Sequence, residues 1–236
     1  MTSKAANDGK PAVDPFPLSP AAMFREGVEG FRREPVLLVA GGVMTFAVSM
    51  AIGIPAQNAL EAGDRALGFA LSLISTVLGA TAAYPWFSYA LDAARGEPAS
   101  FAKPFRTPGR FLPQFVASFW FWAGVLFGIQ FLFGVPALLV TVFYAFFGYL
   151  IVDRHDLGGM KALGTSVRLG DKRRIGLFAI LGIFAMFNFF AFLPLGYAVN
   201  PGTVALTLVL VLVTTSVTLV AGAALYDVLR VELPDG

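Results

Sequence analysis

Four long stretches of the chain carry no charged side chain: Val36 to Ile54, Ala66 to Leu91, Phe115 to Val152 and Ile175 to Tyr226. A bilayer core of about 30 Å takes about 20 helical residues to cross, so the first two stretches are each one span long. The third is too long for one crossing and holds Gly134, Val135 and Pro136 near its middle. The fourth is interrupted at Asn200, Pro201 and Gly202. Such groups break a helix into a tight turn. The pattern predicts an all-α polytopic membrane protein with six transmembrane helices at 36–54, 66–91, 115–133, 135–152, 175–198 and 203–226.

Composition agrees and removes other classes. The 236 residues are 57% hydrophobic and 14% charged, with mean hydropathy +0.73, whereas a soluble domain carries about 25% charged residues. A water-soluble globule and a mostly disordered chain are both excluded. With no cysteine there is no disulfide framework, thiol nucleophile or Cys-ligated metal. Residues 1–20 are polar and contain Pro11, Pro15, Pro17 and Pro20, which reads as a disordered cytoplasmic tail. The membrane domain then occupies 21–230, and 231–236 form a second cytoplasmic tail.

The net charge of +2 hides a one-sided distribution. With six spans, every Lys and Arg except Arg65 falls in segments on one face of the membrane. Cytoplasmic loops collect basic residues, so both termini are expected inside a cytoplasmic (inner) membrane. Reading Phe115 to Val152 as one span would instead export Arg154, Lys161, Arg168, Lys172, Arg173 and Arg174. Arg32 and Arg33 precede the first apolar run, but that run is longer than a signal-peptide core and no small-residue cleavage site follows. It reads as an uncleaved first span.

A unit recurs three times, each a short basic segment followed by a helical hairpin. The segments are Ser19 to Glu34, with Phe24, Val28 and Phe31 on one face; Phe101 to Pro113, broken by Pro104 and Pro108; and Asp156 to Gly170, with Met160, Leu163 and Val167 on one face. The amphipathic spacing of the first and third predicts helices lying at the membrane interface, and the prolines make the second a set of broken turns more than a smooth helix. The hairpins also end alike, on Tyr89, Asp92, Arg95; on Tyr149, Asp153, Arg154; and on Tyr226, Asp227, Arg230.

The phrases FREGVEGFRREPVLLV, LDAARGEPASFAKPFRTPGRFLP and DRHDLGGMKALGTSVRLGDKRRIGLF resemble a family of poorly characterised six-span prokaryotic membrane proteins. That family is similar to the membrane domain fused to some glycerophosphodiester phosphodiesterases. The resemblance covers about residues 20–230. It implies the six-helix fold with interfacial segments and no activity, since the family's phosphodiesterase is a separate soluble unit absent from these residues.

The predicted spans contain no Asp, Glu, Lys, Arg or His. Intramembrane charges are costly and mark proton relays or ion sites, so proton coupling and intramembrane acid–base catalysis are disfavoured. Gln130, Asn188 and the group Thr214, Thr215, Ser216, Thr218 read as interhelical hydrogen-bonding residues. Gly124 and Gly128 form a GxxxG that predicts close packing within the bundle. His155, the one histidine, stands between Asp153 and Asp156 but reads as a solvated loop residue and not a metal ligand. Gly159 to Ser166 superficially resembles a phosphate loop. It lacks the lysine after the second glycine and any preceding strand, so nucleotide binding is rejected. Nucleic acid is disfavoured because acids interleave the bases. No cofactor or metal is expected.

One positive reading remains. Arg32, Arg33, Arg106, Arg110, Arg168, Lys172, Arg173 and Arg174 are expected near the inner leaflet, where each can gain about 1 kcal/mol from anionic lipid headgroups. The expected function is a non-enzymatic accessory or scaffold component of the membrane, with membrane lipids and a membrane protein as partners. Two alternatives are a transporter or permease subunit for a lipid-like or neutral solute, and an interfacial enzyme using Asp92, Asp153 or Asp227. Pairing of those acids with Arg95, Arg154 and Arg230 is the expected outcome for the last.

Overall fold

The computed structural model describes residues 19–131, 134–171 and 173–231, with Gln130 and Phe131 described by their backbone only. The predicted tail through residue 18, the C-terminal residues 232–236, Lys172 and the Gln130 side chain lie outside the described residues. Within them every regular element is helical, with no strand. The helices are α1 (Pro20–Arg33), α2 (Pro35–Glu61), α3 (Arg65–Ala82), α4 (Tyr84–Arg95), α5 (Phe111–Phe131), α6 (Val135–Phe143), α7 (Phe147–Asp153), α8 (Gly159–Leu169), α9 (Arg174–Phe190), α10 (Leu193–Tyr197) and α11 (Pro201–Arg230). Two 3-10 turns, Pro104–Arg106 and Pro108–Arg110, lead into α5.

Local chemistry sets the ends. Ser19 Oγ accepts from Ala22 N, with Pro20 opening α1. Asp64 Oδ1 accepts from Leu67 N at the start of α3. Asn200 and Thr203 form a reciprocal capping box before α11. These contacts satisfy amides that a helix start leaves open. Two of the tight turns pass through left-handed glycines, Gly63 at φ 85° and Gly134 at φ 81°, where a side chain would be strained.

Five stretches are long and apolar enough to cross a membrane: Pro35–Glu61, Arg65–Arg95, Pro108–Ile129, Val135–Asp153 and Pro201–Arg230. A sixth is reached when α8 and α9, bent by 107° at the break between them, are counted as one span; α9 alone has 17 residues. At 1.5 Å per residue α9 is about 26 Å long, near the thickness of the hydrocarbon core. The fold is thus polytopic, in the order segment and hairpin, three times.

Several boundaries differ from the apolar pattern for identifiable reasons. The first span runs on through Pro55 to Glu61, since a proline removes one helical hydrogen bond without stopping a strongly apolar helix. The fifth ends at Phe190 and not at 198, because Pro194 restarts the chain as the short α10. The second span is divided at Ala83 ahead of Pro85, and the fourth at Tyr144 to Phe146. The middle basic segment, by contrast, matches the expectation of broken turns: it forms the two 3-10 turns and then enters α5 at Phe111.

The break in the fourth span is closed from outside. Ser166 of α8 accepts from Phe146 N at 3.1 Å and donates to Phe143 O at 3.0 Å. The phosphate-loop look-alike is therefore part of helix α8, and its Ser166 satisfies a broken neighbour. Ser166→Ala should cost about 1–3 kcal/mol, the penalty for orphaned buried backbone groups, read from unfolding of the detergent-solubilised protein. An unchanged unfolding midpoint would remove this role.

A buried core lies at the end where α4, α7 and the last turns of α11 meet. Tyr89, Ala90, Leu150, Ile151, Val220, Ala221, Ala223 and Tyr226 are all buried there. Helix α1 is docked into this core. Gly27 and Gly30 let it approach α11 so closely that a Cβ at 27 would stand 2.5 Å from Val217 O, and one at 30 would stand 2.5 Å from Val220 Cγ1. Small residues serve this purpose between membrane helices. Phe24, expected in the headgroup zone, instead meets Phe184 and Phe187 edge-on at 5.4 and 4.7 Å. Large apolar side chains such as Val36, Ile175 and Phe189 point outward, as a lipid-solvated surface requires.

Candidate functional site

The three hairpin ends converge on one cluster. Arg95 closes α4, Asp153 closes α7, and Asp227 and Arg230 lie in the last turn of α11. Arg95 Nη2 donates to Asp153 Oδ1 at 2.7 Å and to Asp227 Oδ1 at 2.8 Å, while its Nε reaches Asp227 Oδ2 at 3.0 Å. Arg230 completes the set, with Nη1 3.0 Å from Asp153 Oδ2 and Nε 2.9 Å from Asp227 Oδ1. The Tyr226 hydroxyl donates to Asp153 Oδ2 at 2.8 Å, and its ring stacks on Tyr149 at 5.8 Å. Two guanidinium forks and two carboxylates balance in charge, and the planar fork suits such bridging.

The expected acid–base pairing is present for Asp227 with Arg230, while Asp153 and Asp92 take other partners. Arg95 bridges the acids of the other two copies, whereas Arg154 pairs with Asp156 at 3.1 Å. Asp92, nearly fully buried, takes Lys103 Nζ at 2.5 Å, and its Oδ2 has no protein partner among the described residues. Hydrogen bonding from Arg154 holds the Asp156 carboxyl below the usual carboxylate range. His155 is exposed, and no group of three His, Asp or Glu able to hold a metal occurs among the described residues.

The basic residues singled out by sequence fall into two groups. Arg110 is a carbonyl clamp: its Nη1 donates to His155 O and Leu157 O at 2.9 and 3.2 Å, and its Nη2 to Ile151 O and Arg154 O at 2.6 and 3.0 Å. One of these, Ile151 O, is a C-terminal carbonyl of α7 without a helical partner, and the other three belong to the chain that follows α7. Arg33 Nη1 donates to Ala93 O. Arg174 pairs with Asp171 at 2.5 Å and lies over the Phe143 ring. Arg173 also has an interaction. Arg32, Arg106 and Arg168 are exposed, with no side-chain partner among the described residues.

Polar groups within the spans are engaged in part; Ser216, expected to bond between helices, is buried with no partner for its hydroxyl among the described residues, as are Ser118 and Thr207. Asn188 Nδ2 donates to Thr218 Oγ1 at 2.9 Å, and Thr215 Oγ1 donates to Asn188 Oδ1 at 3.1 Å, joining α9 to α11. Gly128 faces Ala137, and Gly124 faces Val140, so the GxxxG closes its own hairpin. Gln114, which the pattern did not single out, is fully buried and donates to Ala80 O at 3.0 Å. A cavity of about 460 Å³ opens beside the breaks in the second and fourth spans, where Ala83, Trp86, Phe87, Tyr144 and Ala145 line it.

No protein-family model, curated protein or solved structure matches this chain.

Proposed function

We propose that this chain is a non-enzymatic accessory or scaffold component of the cytoplasmic membrane, with both termini inside and a basic end that contacts anionic lipid headgroups. The observation that carries this reading is the pairing of unpartnered cations with exposed apolar side chains in the same short segments. Arg106 stands among Phe101, Phe105 and Leu112, and Arg168 shares α8 with the exposed Met160. Apolar anchors beside cations are what an interfacial segment needs. Arg32, Arg106 and Arg168 carry the contact in this reading, because Arg33, Arg110 and Arg174 are engaged with protein groups.

The test is the lipid shell of the full chain reconstituted in nanodiscs of mixed phosphatidylcholine and phosphatidylglycerol. The wild type should retain phosphatidylglycerol preferentially. The Arg32→Gln, Arg106→Gln, Arg168→Gln variant should lose most of that preference, since each charge contributes about 1 kcal/mol near an anionic surface. Equal retention by wild type and variant would contradict the reading. A second reading, a transporter or permease subunit for a lipid-like or neutral solute, is favoured by the cavity at the two helix breaks.

A further inference from the structure

The long helices close into a ring around the cavity. Contacts run from α2 to α3, α5, α6, α9 and α11 in that order, and α11 returns to α2. Each of the six lines the cavity, through Ser49, Thr76, Phe121, Thr141, Leu181 and Leu219 respectively. The volume of about 460 Å³ lies in the range of roughly 300–1,000 Å³ typical of small-molecule sites. No charged side chain among the described residues lines it, so it suits a neutral guest; a charged one would lose its hydration without compensation.

Two buried rings stand between this cavity and the charged cluster. Tyr149 lines the cavity, donates its hydroxyl to Leu219 O at 2.7 Å and meets Phe87 edge-on at 5.0 Å. Its ring stacks on Tyr226, which does not line the cavity and whose hydroxyl donates to Asp153 in the cluster. The cluster therefore holds the aromatic pair in place from the far side.

The two short helices that carry this closure are set apart from the spans they end. Helix α4, with Arg95, follows the break at Ala83, and α7, with Tyr149 and Asp153, follows the break at Tyr144 to Phe146. Ala83, Tyr144 and Ala145 themselves line the cavity. Residues at the ends of elements are where hinge motion is absorbed. The tips of α4 and α7 are joined by an ion pair whose side chains stay partly exposed. Such pairs add little stability over an apolar contact, and fixing a register or a switch is their best-attested use.

We propose that α4 and α7 form a gate over the cavity. The Tyr149–Tyr226 stack closes it toward the clustered face, the ion pairs latch the closed state, and movement at the two breaks admits a small neutral solute. This deepens the second reading above, a pathway for a neutral solute, and rests on it.

The chain has no cysteine, so one introduced thiol reports access without background. Thr76→Cys puts it in the cavity, on the α3 side of the break at Ala83, and Ser118→Cys puts it at a fully buried position outside the cavity. Membrane vesicles that present the clustered face to the medium are treated with a membrane-impermeant methanethiosulfonate. Without further change, both positions should label slowly. Tyr149→Ala removes the plug, and Asp153→Asn removes the charge from the latch with little change of shape. Each should speed labelling at position 76 by about tenfold, a shift of about 1.4 kcal/mol toward the open state, and leave position 118 unchanged. Equally fast labelling of position 76 with and without these changes would overturn the gate and leave the pathway reading standing. Protection of position 76 throughout would overturn both. Faster labelling at both positions would show general loosening and overturn the gate.

Discussion

Replacing Arg95 with leucine is expected to lower the stability of the detergent-solubilised protein by about 3 kcal/mol. Removing one partner of a buried ion pair costs about 3–5 kcal/mol, because the opposite charge is left without compensation. The low end applies here: the Arg95, Asp153 and Asp227 side chains retain 20%, 12% and 23% exposure, and Arg230 still reaches both acids. Arg95→Lys should recover only part of the loss, since an ammonium cannot span two carboxylates as the planar fork does. Equilibrium unfolding in a denaturing-detergent titration reads both values. A change within about 0.5 kcal/mol, the range for an ordinary surface substitution, would show that the cluster holds nothing together.

Gly27→Val is expected to have a comparable effect by a different route. A Cβ at this position would stand 2.5 Å from the carbonyl oxygen of Val217 and 3.0 Å from Ala221 Cβ. Neither atom belongs to a flexible side chain, so α1 has to move away from α11. Overpacking of this kind costs about 1–3 kcal/mol and sometimes more, and the branched side chain puts the expected loss at about 3 kcal/mol. The displacement should also disturb the edge-on contacts of Phe24 with Phe184 and Phe187. Faster proteolysis between α1 and α2, at Glu34, is therefore expected alongside the lower unfolding midpoint. Wild-type stability and resistance to proteolysis would contradict the docking of α1.

The sequence reveals this architecture unevenly. Spans and turns were legible because a bilayer demands long uncharged runs, and because Pro136 and Pro201 interrupt them where the chain turns back. The recurring tyrosine, acid and base at the hairpin ends were legible as positions along the helices. Their partners were not, because the sequence does not state how each helix is rotated, and the rotation is what sends Arg95 to Asp153 and Asp227.

Helix α1 shows a second limit. An apolar face does not declare whether it meets lipid or protein, and only Gly27 and Gly30, on the docked side, hinted at a close neighbour. The clamp formed by Arg110 was hidden because its four acceptors are backbone carbonyls, which no residue type announces. Ser166 was hidden for the same reason, and the cavity because it arises where two spans break side by side.

The central claim is that three segment-and-hairpin units are fastened to one another at a single charged cluster. A double-mutant cycle between Arg95→Leu and Asp227→Leu tests it most directly, since the two residues lie on the second and sixth spans, far apart in the chain. A coupling of about 1.5 kcal/mol or more between the two substitutions is expected, in the range for groups sharing one network. Losses that add within about 0.3–0.5 kcal/mol, as independent sites do, would contradict it.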